Sequence, residues 1–260
     1  MPAWLEVILL GIIEGITEFL PVSSTGHLLL AQQWLPTRQP EVFLVVIQCG
    51  AVLAVMFNFQ ERVRQLAFRW QETEAKDYLS KLAAAFFITG VGGLALKKLG
   101  WELPETAAPV AWATLIGGVL FIVVERALRS KPGSGAITWQ IALAIGVAQL
   151  LAAVFPGTSR SGATILAALL LGLDRRTAIE FTFLLGVPTL LAAGALELVS
   201  ALNKGGMSGI DWPMLALGTA VSAVTACLAV RWLLKFVQTH TFEAFGWYRI
   251  ALGLVVLGWL

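Results

Sequence analysis

The stretch Gly11-Ile-Ile-Glu-Gly-Ile-Thr-Glu-Phe-Leu-Pro-Val-Ser-Ser-Thr-Gly-His-Leu-Leu-Leu30 sets two carboxylates, a Ser-Ser-Thr run and a histidine inside otherwise lipid-like sequence. Glu14 and Glu18 are four residues apart and share one face of a helix. Pro21 ends that helix. Ser23, Ser24 and Thr25 then supply N-cap residues for a second helix, with His27 in its first turn. An ionisable residue at membrane depth is costly, so it marks a functional site by default. Six reactive side chains between residues 14 and 27 make that reading strong.

The surrounding chain explains why depth matters. Its 260 residues are 58% hydrophobic and 13% charged, with mean hydropathy +0.80. Soluble domains carry about 25% charged residues. The composition excludes such a domain and predicts an all-α polytopic membrane protein. A net charge of +2 is too small to indicate nucleic acid as a partner. Cys49 and Cys227 lie in apolar runs, without a second ligand nearby, and read as buried small hydrophobes. The N-terminus lacks a basic run and a small-residue cleavage site, so no cleavable signal peptide is expected. Trp4, Trp34, Trp101, Trp212 and Trp259 sit at segment ends, as an interfacial belt requires.

Apolar runs cover residues 3–20, 24–35, 41–59, 79–96, 107–125, 137–155, 161–172, 177–200, 212–234 and 244–260. Runs 24–35 and 161–172 are too short to span a bilayer, which takes about 20 residues. Each follows a Pro-interrupted polar tip, the sign of a re-entrant helical hairpin. A shift of 135 residues aligns Gly11 with Gly146, Glu14 with Gln149, Pro21 with Pro156, Ser23 with Thr158 and Ser24 with Ser159. The chain therefore reads as one integral membrane domain, residues 1–260, built from two repeats of about 1–130 and 137–260. Each copy is a re-entrant hairpin plus three transmembrane helices. Three crossings is an odd number, so the expected architecture is an inverted-topology repeat whose tips meet near the midplane.

Positive charge sets the expected orientation. The face holding loops 60–80, 126–136, 173–176 and 235–243 carries twelve Lys/Arg, including Lys131. The other face carries four: Arg38, Lys97, Lys98 and Lys204. The richer face is expected to be cytoplasmic, with both termini and the first hairpin's mouth outside.

The second tip, Pro156-Gly-Thr-Ser-Arg-Ser-Gly-Ala-Thr164, repeats the design: a stop, a sharp turn and a Thr158 or Ser159 cap. Free N–H groups at a helix N-terminus bind anions. Arg160 adds a planar fork suited to phosphate oxygens. Two half-helix N-termini and an arginine describe a phosphate cradle, and Glu14, Glu18 and His27 supply acid, base or metal chemistry. Plainer readings stand beside this one. Ser23, Ser24, Ser159 and Ser161 could serve as caps alone. Glu14 and Glu18 could form a structural ion pair with Arg160. His27 could be a satisfied core residue. Ser200 and Thr219 read as helix-bonded hydroxyls, and His240 as a solvated loop residue. Glu180, Glu197, Tyr248 and Arg249 are lone polar groups in apolar segments, with either a supporting or a structural part. Residues 130–135 form a plain loop.

Glu14-x-x-x-Glu18-Phe-Leu-Pro-Val-Ser-Ser-Thr-Gly-His27 and Pro156-Gly-Thr-Ser-Arg-Ser-Gly-Ala-Thr164 closely resemble the undecaprenyl-diphosphate phosphatase family of the bacitracin-resistance type. Neither motif departs from the family pattern, and the repeat extends the likeness over the whole chain. The resemblance implies a multi-pass hydrolase of the bacterial inner membrane, with its site opening outward. It would remove the terminal phosphate of undecaprenyl diphosphate, an isoprenoid lipid, and recycle the carrier for peptidoglycan synthesis. Excess enzyme would confer bacitracin resistance. A homodimer and a link to a divalent cation (Mg or Ca) are further implications. Carried onto this chain, Ser24 would be the nucleophile, Glu18 would activate it or, with Glu14, hold the cation, and Glu14 would be a supporting catalytic carboxylate. His27 would be proton donor or base. Arg160 would stabilise the transferring phosphoryl. Ser23, Thr25, Ser159, Ser161 and Thr164 would line the phosphate site.

Two rivals differ in testable ways. A second class of lipid phosphatase uses two histidines, but Leu166 stands where its second one would fall, six residues after Arg160. A transporter could also be built from inverted hairpins. A hydrolase releases inorganic phosphate in detergent, where no gradient exists, and a carrier does not.

Overall fold

The computed structural model describes residues 1–100, 107–129, 133–203 and 211–258. Trp101, Lys131, Lys204, Trp259 and loop residues 130–132 lie outside the described residues. Eleven helices run through the rest: α1 (Ala3–Thr17), α2 (Ser24–Trp34), α3 (Glu41–Asn58), α4 (Gln60–Phe68), α5 (Thr73–Lys98), α6 (Ala107–Ala127), α7 (Trp139–Val154), α8 (Arg160–Leu170), α9 (Arg175–Asn203), α10 (Trp212–Phe236) and α11 (Glu243–Gly258). Strand pairing among the described residues is limited to an isolated bridge between Ser134 and Leu173. The all-α membrane class is thereby met.

Five helices, α3, α5, α6, α9 and α10, are long and apolar enough to cross a bilayer. Their outward faces carry large apolar side chains such as Leu53, Phe87, Trp112, Leu196 and Val224, each more than half exposed. That distribution suits lipid rather than water. Helix α11 has 16 described residues, fewer than the roughly 20 that a perpendicular span needs.

The short hairpins form where expected. Helices α2 and α8 have 11 residues each, about 16 Å at 1.5 Å per residue. Each is entered through a serine with positive φ: Ser23 at 73° and Ser159 at 69°. Each serine hydroxyl then accepts from the backbone N–H three residues on, Gly26 at 3.3 Å and Gly162 at 3.2 Å. Ser23 and Ser159 are the caps, while Ser24 and Arg160 start the helices, so at the caps the tips correspond at a shift of 136 residues and not at the 135 that pairs Ser23 with Thr158 and Ser24 with Ser159.

Two features depart from the sequence expectation. Segment 60–80 is not a plain loop: it holds α4 and the first turns of α5. Helix α4 buries none of its residues, so no apolar run announces it. Arg62 anchors it, reaching Glu180 of α9 at 2.8 Å and Glu74 of α5 at 3.0 Å. Burial alone would lower the Arg62 pKa, but these carboxylates hold it above its ordinary value. The cysteines are also less enclosed than expected. Both are free and half-buried, and the Cys49 thiol faces the carbonyls of Val45 and Leu190.

Close backbone approach holds the bundle, as small residues permit in lipid. Helices α6 and α11 touch through Gly118 and Gly246, where an added Cβ would fall 2.6 and 2.8 Å from the opposing carbonyls. Helix α1 meets α10 at Gly15, where a Cβ would lie 1.9 Å from Thr225 Oγ1. Near the basic end, buried Glu125 of α6 accepts from Arg175 of α9 and, at 2.9 Å, from the Phe242 N–H before α11.

Candidate functional site

The two hairpin tips meet. Glu18, just past α1, receives the Ser24 hydroxyl on one carboxylate oxygen at 2.8 Å. Its other oxygen receives Arg160 Nη2, from the far tip, at 3.2 Å. One carboxylate thus joins residues 136 positions apart. A second tie runs the same way: Ser161 Oγ donates to the Leu20 carbonyl at 3.1 Å and lies 3.1 Å from Ser159 Oγ.

Arg160 is sheltered, with its side chain 14% exposed. Its Cζ lies 5.6 Å from the Phe19 ring centre. On the other side it meets Gly186 of α9, where a Cβ would fall 2.3 Å from Nη1. Pro188, two residues on, lies inside that helix. Arg160 Nε and Nη1 are buried and have no hydrogen-bond partner among the described residues. Two unspent donors on a guanidinium are a ready grip for an anionic ligand.

Glu14 sits one turn below Glu18, fully buried. Neither of its carboxylate oxygens has a partner among the described residues. An unsatisfied buried carboxyl calls for a proton, a water or a cation. Its sequence counterpart Gln149 differs: its amide donates to Thr89 and Thr189 at 3.0 and 3.1 Å.

His27 lies on α2 one turn past Ser23, and its Nδ1 is 2.7 Å from the Ser23 carbonyl. A carbonyl only accepts, so Nδ1 carries the proton. Its Nε2 lies 2.6 Å from the Tyr248 hydroxyl. The Ser24 hydroxyl is thus held by Glu18, and the His27 ring by Tyr248. Thr25 is exposed. Thr164 is buried and turns its hydroxyl back to the carbonyls of Arg160 and Ser161.

Two neighbours on α11 make the site larger than the sequence reading had it. The sequence alone reads Tyr248 and Arg249 as lone polar groups with either a supporting or a structural part. Arg249 is fully buried. Its guanidinium donates to five backbone carbonyls: Pro21 of the first tip, Gly157 and Thr158 of the second, and Ala113 and Thr114 of α6. It therefore cross-links both tips through their backbones. Gly117 leaves it room, since a Cβ there would fall 2.2 Å from Nη2. The available signal was an arginine inside an apolar segment; its partners, being carbonyls, leave no trace in side-chain identity. The plain readings of Thr219 and His240 hold. Thr219 bonds the Leu215 carbonyl four residues back, and exposed His240 bonds Thr239.

Apolar grooves adjoin the cluster. One, of 580 Å³, is lined by Ile12, Ile16, Leu20, His27, Trp232, Phe245 and Tyr248. Another, of 400 Å³, is lined by His27, Leu30, Trp34, Tyr248, Leu252 and Val255.

Comparison with known proteins adds the following. The family described as bacitracin resistance protein BacA matches residues 7–255. A Rhizobium etli protein named undecaprenyl-diphosphatase is 50% identical over 256 residues, which cover 98% of this chain and 96% of that protein. Proteins of the same name from Xylella fastidiosa and Xanthomonas oryzae pv. oryzae are 47% and 46% identical, covering 97% and 98% of this chain and 97% of each relative.

Proposed function

The chain belongs to the bacitracin resistance protein BacA family, and we infer that it is an undecaprenyl-diphosphatase. It hydrolyses undecaprenyl diphosphate to undecaprenyl phosphate and inorganic phosphate. This recycles the lipid carrier for cell-wall synthesis and underlies bacitracin resistance. The observation that carries the chemical reading is the shared Glu18 carboxylate, which binds the Ser24 hydroxyl and Arg160 together.

In this reading Glu18 takes the Ser24 proton as Ser24 Oγ attacks the terminal phosphorus. The bridging P–O bond breaks, and its electron pair leaves with the lipid phosphate. Water then releases inorganic phosphate from the serine. Arg160, through its unspent Nε and Nη1 donors, grips the transferring phosphoryl oxygens. Ser159 and Ser161 orient the second helix N-terminus, and Ser23, Thr25 and Thr164 shape the flanks of the phosphate site. His27 serves the leaving-group side.

The residues also fit a divalent cation held jointly with substrate, because both Glu14 carboxylate oxygens are buried without a hydrogen-bond partner among the described residues. Glu14 and Glu18 would hold it, and it would neutralise diphosphate charge. The equivalent caps of α2 and α8 support a repeat with copies of about 1–130 and 137–260, and the odd number of crossings expected in each copy supports its inversion. The excess of Lys/Arg on one face supports outward termini and an outward-opening site. A homodimer completes the reading.

Phosphate release by the purified protein in detergent tests it. Ser24→Ala is expected to lose about three orders of magnitude in kcat with little change in KM. Near wild-type turnover would remove Ser24 as nucleophile.

A further inference from the structure

We propose that Tyr248 is a positioning residue for His27, and that the pair marks the end of the site that receives the lipid-linked phosphate. The inference rests on the phosphatase reading and adds the direction in which substrate lies. Four observations converge on it.

The first is the bond itself. The Tyr248 hydroxyl is 2.6 Å from His27 Nε2, and the two rings are 5.6 Å apart and within 5° of parallel. The second is the proton order along the ring. With Nδ1 donating to the Ser23 carbonyl, the neutral ring carries its lone pair on Nε2 and accepts there from the tyrosine hydroxyl. His27 therefore offers one basic nitrogen, and Tyr248 sets where it points. Holding both ring nitrogens fixes tautomer and orientation together, as a carboxylate does for histidines in other sites.

The third is exposure. Tyr248 is 47% exposed, so burial alone does not impose this bond. The fourth is position. Both grooves are lined by His27 and by Tyr248, and neither is lined by Ser24, Glu18 or Arg160. Along α11, one groove uses Phe245 and the other Leu252. The pair stands where the grooves meet. A hydrocarbon tail reaching the polar cluster along either groove passes the pair first. The terminal phosphate then lies deeper, at Ser24 and Arg160, and the phosphate bonded to the tail lies at His27.

The test uses the full chain in detergent with His240→Asn, which leaves His27 as the sole histidine. Two readouts are taken: ¹⁵N resonances of labelled histidine, and phosphate release from a polyprenyl diphosphate. Tyr248→Phe keeps the ring and removes the hydroxyl alone. The expected result is an Nε2 resonance moved to the position of an unbonded acceptor, and kcat lowered about ten- to a hundredfold with KM within about twofold. Tyr248→Phe with wild-type kcat, or with an unmoved resonance, overturns the proposal. The phosphatase reading fails separately, on absence of phosphate release from the unaltered protein. The resonance reads the tyrosine bond in that case too.

Discussion

The two hairpin tips share a backbone and differ in what they present. Both enter a short helix through a serine with φ near +70° that caps the N–H three residues on. Beyond that frame they diverge. The first tip presents carboxylates, a serine hydroxyl and an imidazole; the second presents one guanidinium. At corresponding positions and among the described residues, Glu14 has two unsatisfied oxygens, while Gln149 has one and donates its amide N–H groups to two threonines. A repeated backbone supplies two anion-ready helix N-termini, and unequal side chains divide the labour. In the proposed mechanism the first tip does the proton and bond chemistry, and the second holds charge. Arg249 binds carbonyls of both, so it responds to the shared frame and ignores the divergence.

The sharpest way to break this division is at Arg160. Its planar fork has two buried nitrogens, Nε and Nη1, without a hydrogen-bond partner among the described residues. Arg160→Ala is expected to lower kcat/KM about a thousandfold or more, the scale of losing a transition-state arginine. Arg160→Lys should recover little of that, because an ammonium is a point charge without the fork. Phosphate release from purified variants measures both. A loss of less than about tenfold in Arg160→Ala would make the second tip structural and return its arginine to the role of a buried ion pair.

Exchanging the corresponding carboxyl and amide asks whether the difference is chemical. Glu14→Gln places the second tip's residue in the first. It should lower kcat by about ten- to a hundredfold and flatten the dependence on added divalent cation, with folding intact. Gln149→Glu removes both donors to Thr89 and Thr189 in a buried place. Its effect should fall on stability, about 2 kcal/mol, with turnover per folded molecule nearly unchanged. Turnover by titration of folded protein, beside thermal unfolding in detergent, separates the two. If Gln149→Glu costs more turnover than Glu14→Gln, the chemistry is shared evenly between the tips.

The sequence carried most of this frame because its signals are local. Pro21, Pro156 and the hydroxyl runs after them are punctuation that any reader of helix ends can use. Glu18, Ser24, His27 and Arg160 stood out because polar groups in apolar sequence are costly. What stayed hidden depends on contact rather than composition. Tyr248 and Arg249 lie more than 200 residues from the first tip, and Arg249 binds carbonyls, which every residue has. Gly186 could not be read as the space beside Arg160 until α8 was laid against α9. Helix α4 escaped because it is short, polar and held by ion pairs.

The smallest expected effect tests the frame itself. Ser23→Gly and Ser159→Gly each remove a capping hydroxyl, which at a glycine cap costs only a few tenths of a kcal/mol. Each also relieves a side chain held at positive φ, a gain of about 1 kcal/mol. If the two frames were equivalent in every respect, both changes would shift stability equally. They are not equivalent, because the Ser159 hydroxyl also meets Ser161, which reaches the Leu20 carbonyl of the first tip. Ser23 has no such chain through its hydroxyl among the described residues. Ser159→Gly should therefore be the less stable variant by about 1 kcal/mol, the worth of one buried hydrogen bond. Unfolding midpoints of the two variants in one detergent decide it. Equal midpoints would mean that the tips are joined through Glu18, Arg160 and Arg249 alone. The reverse order would mean that the first tip, not the second, is the one pinned by its cap.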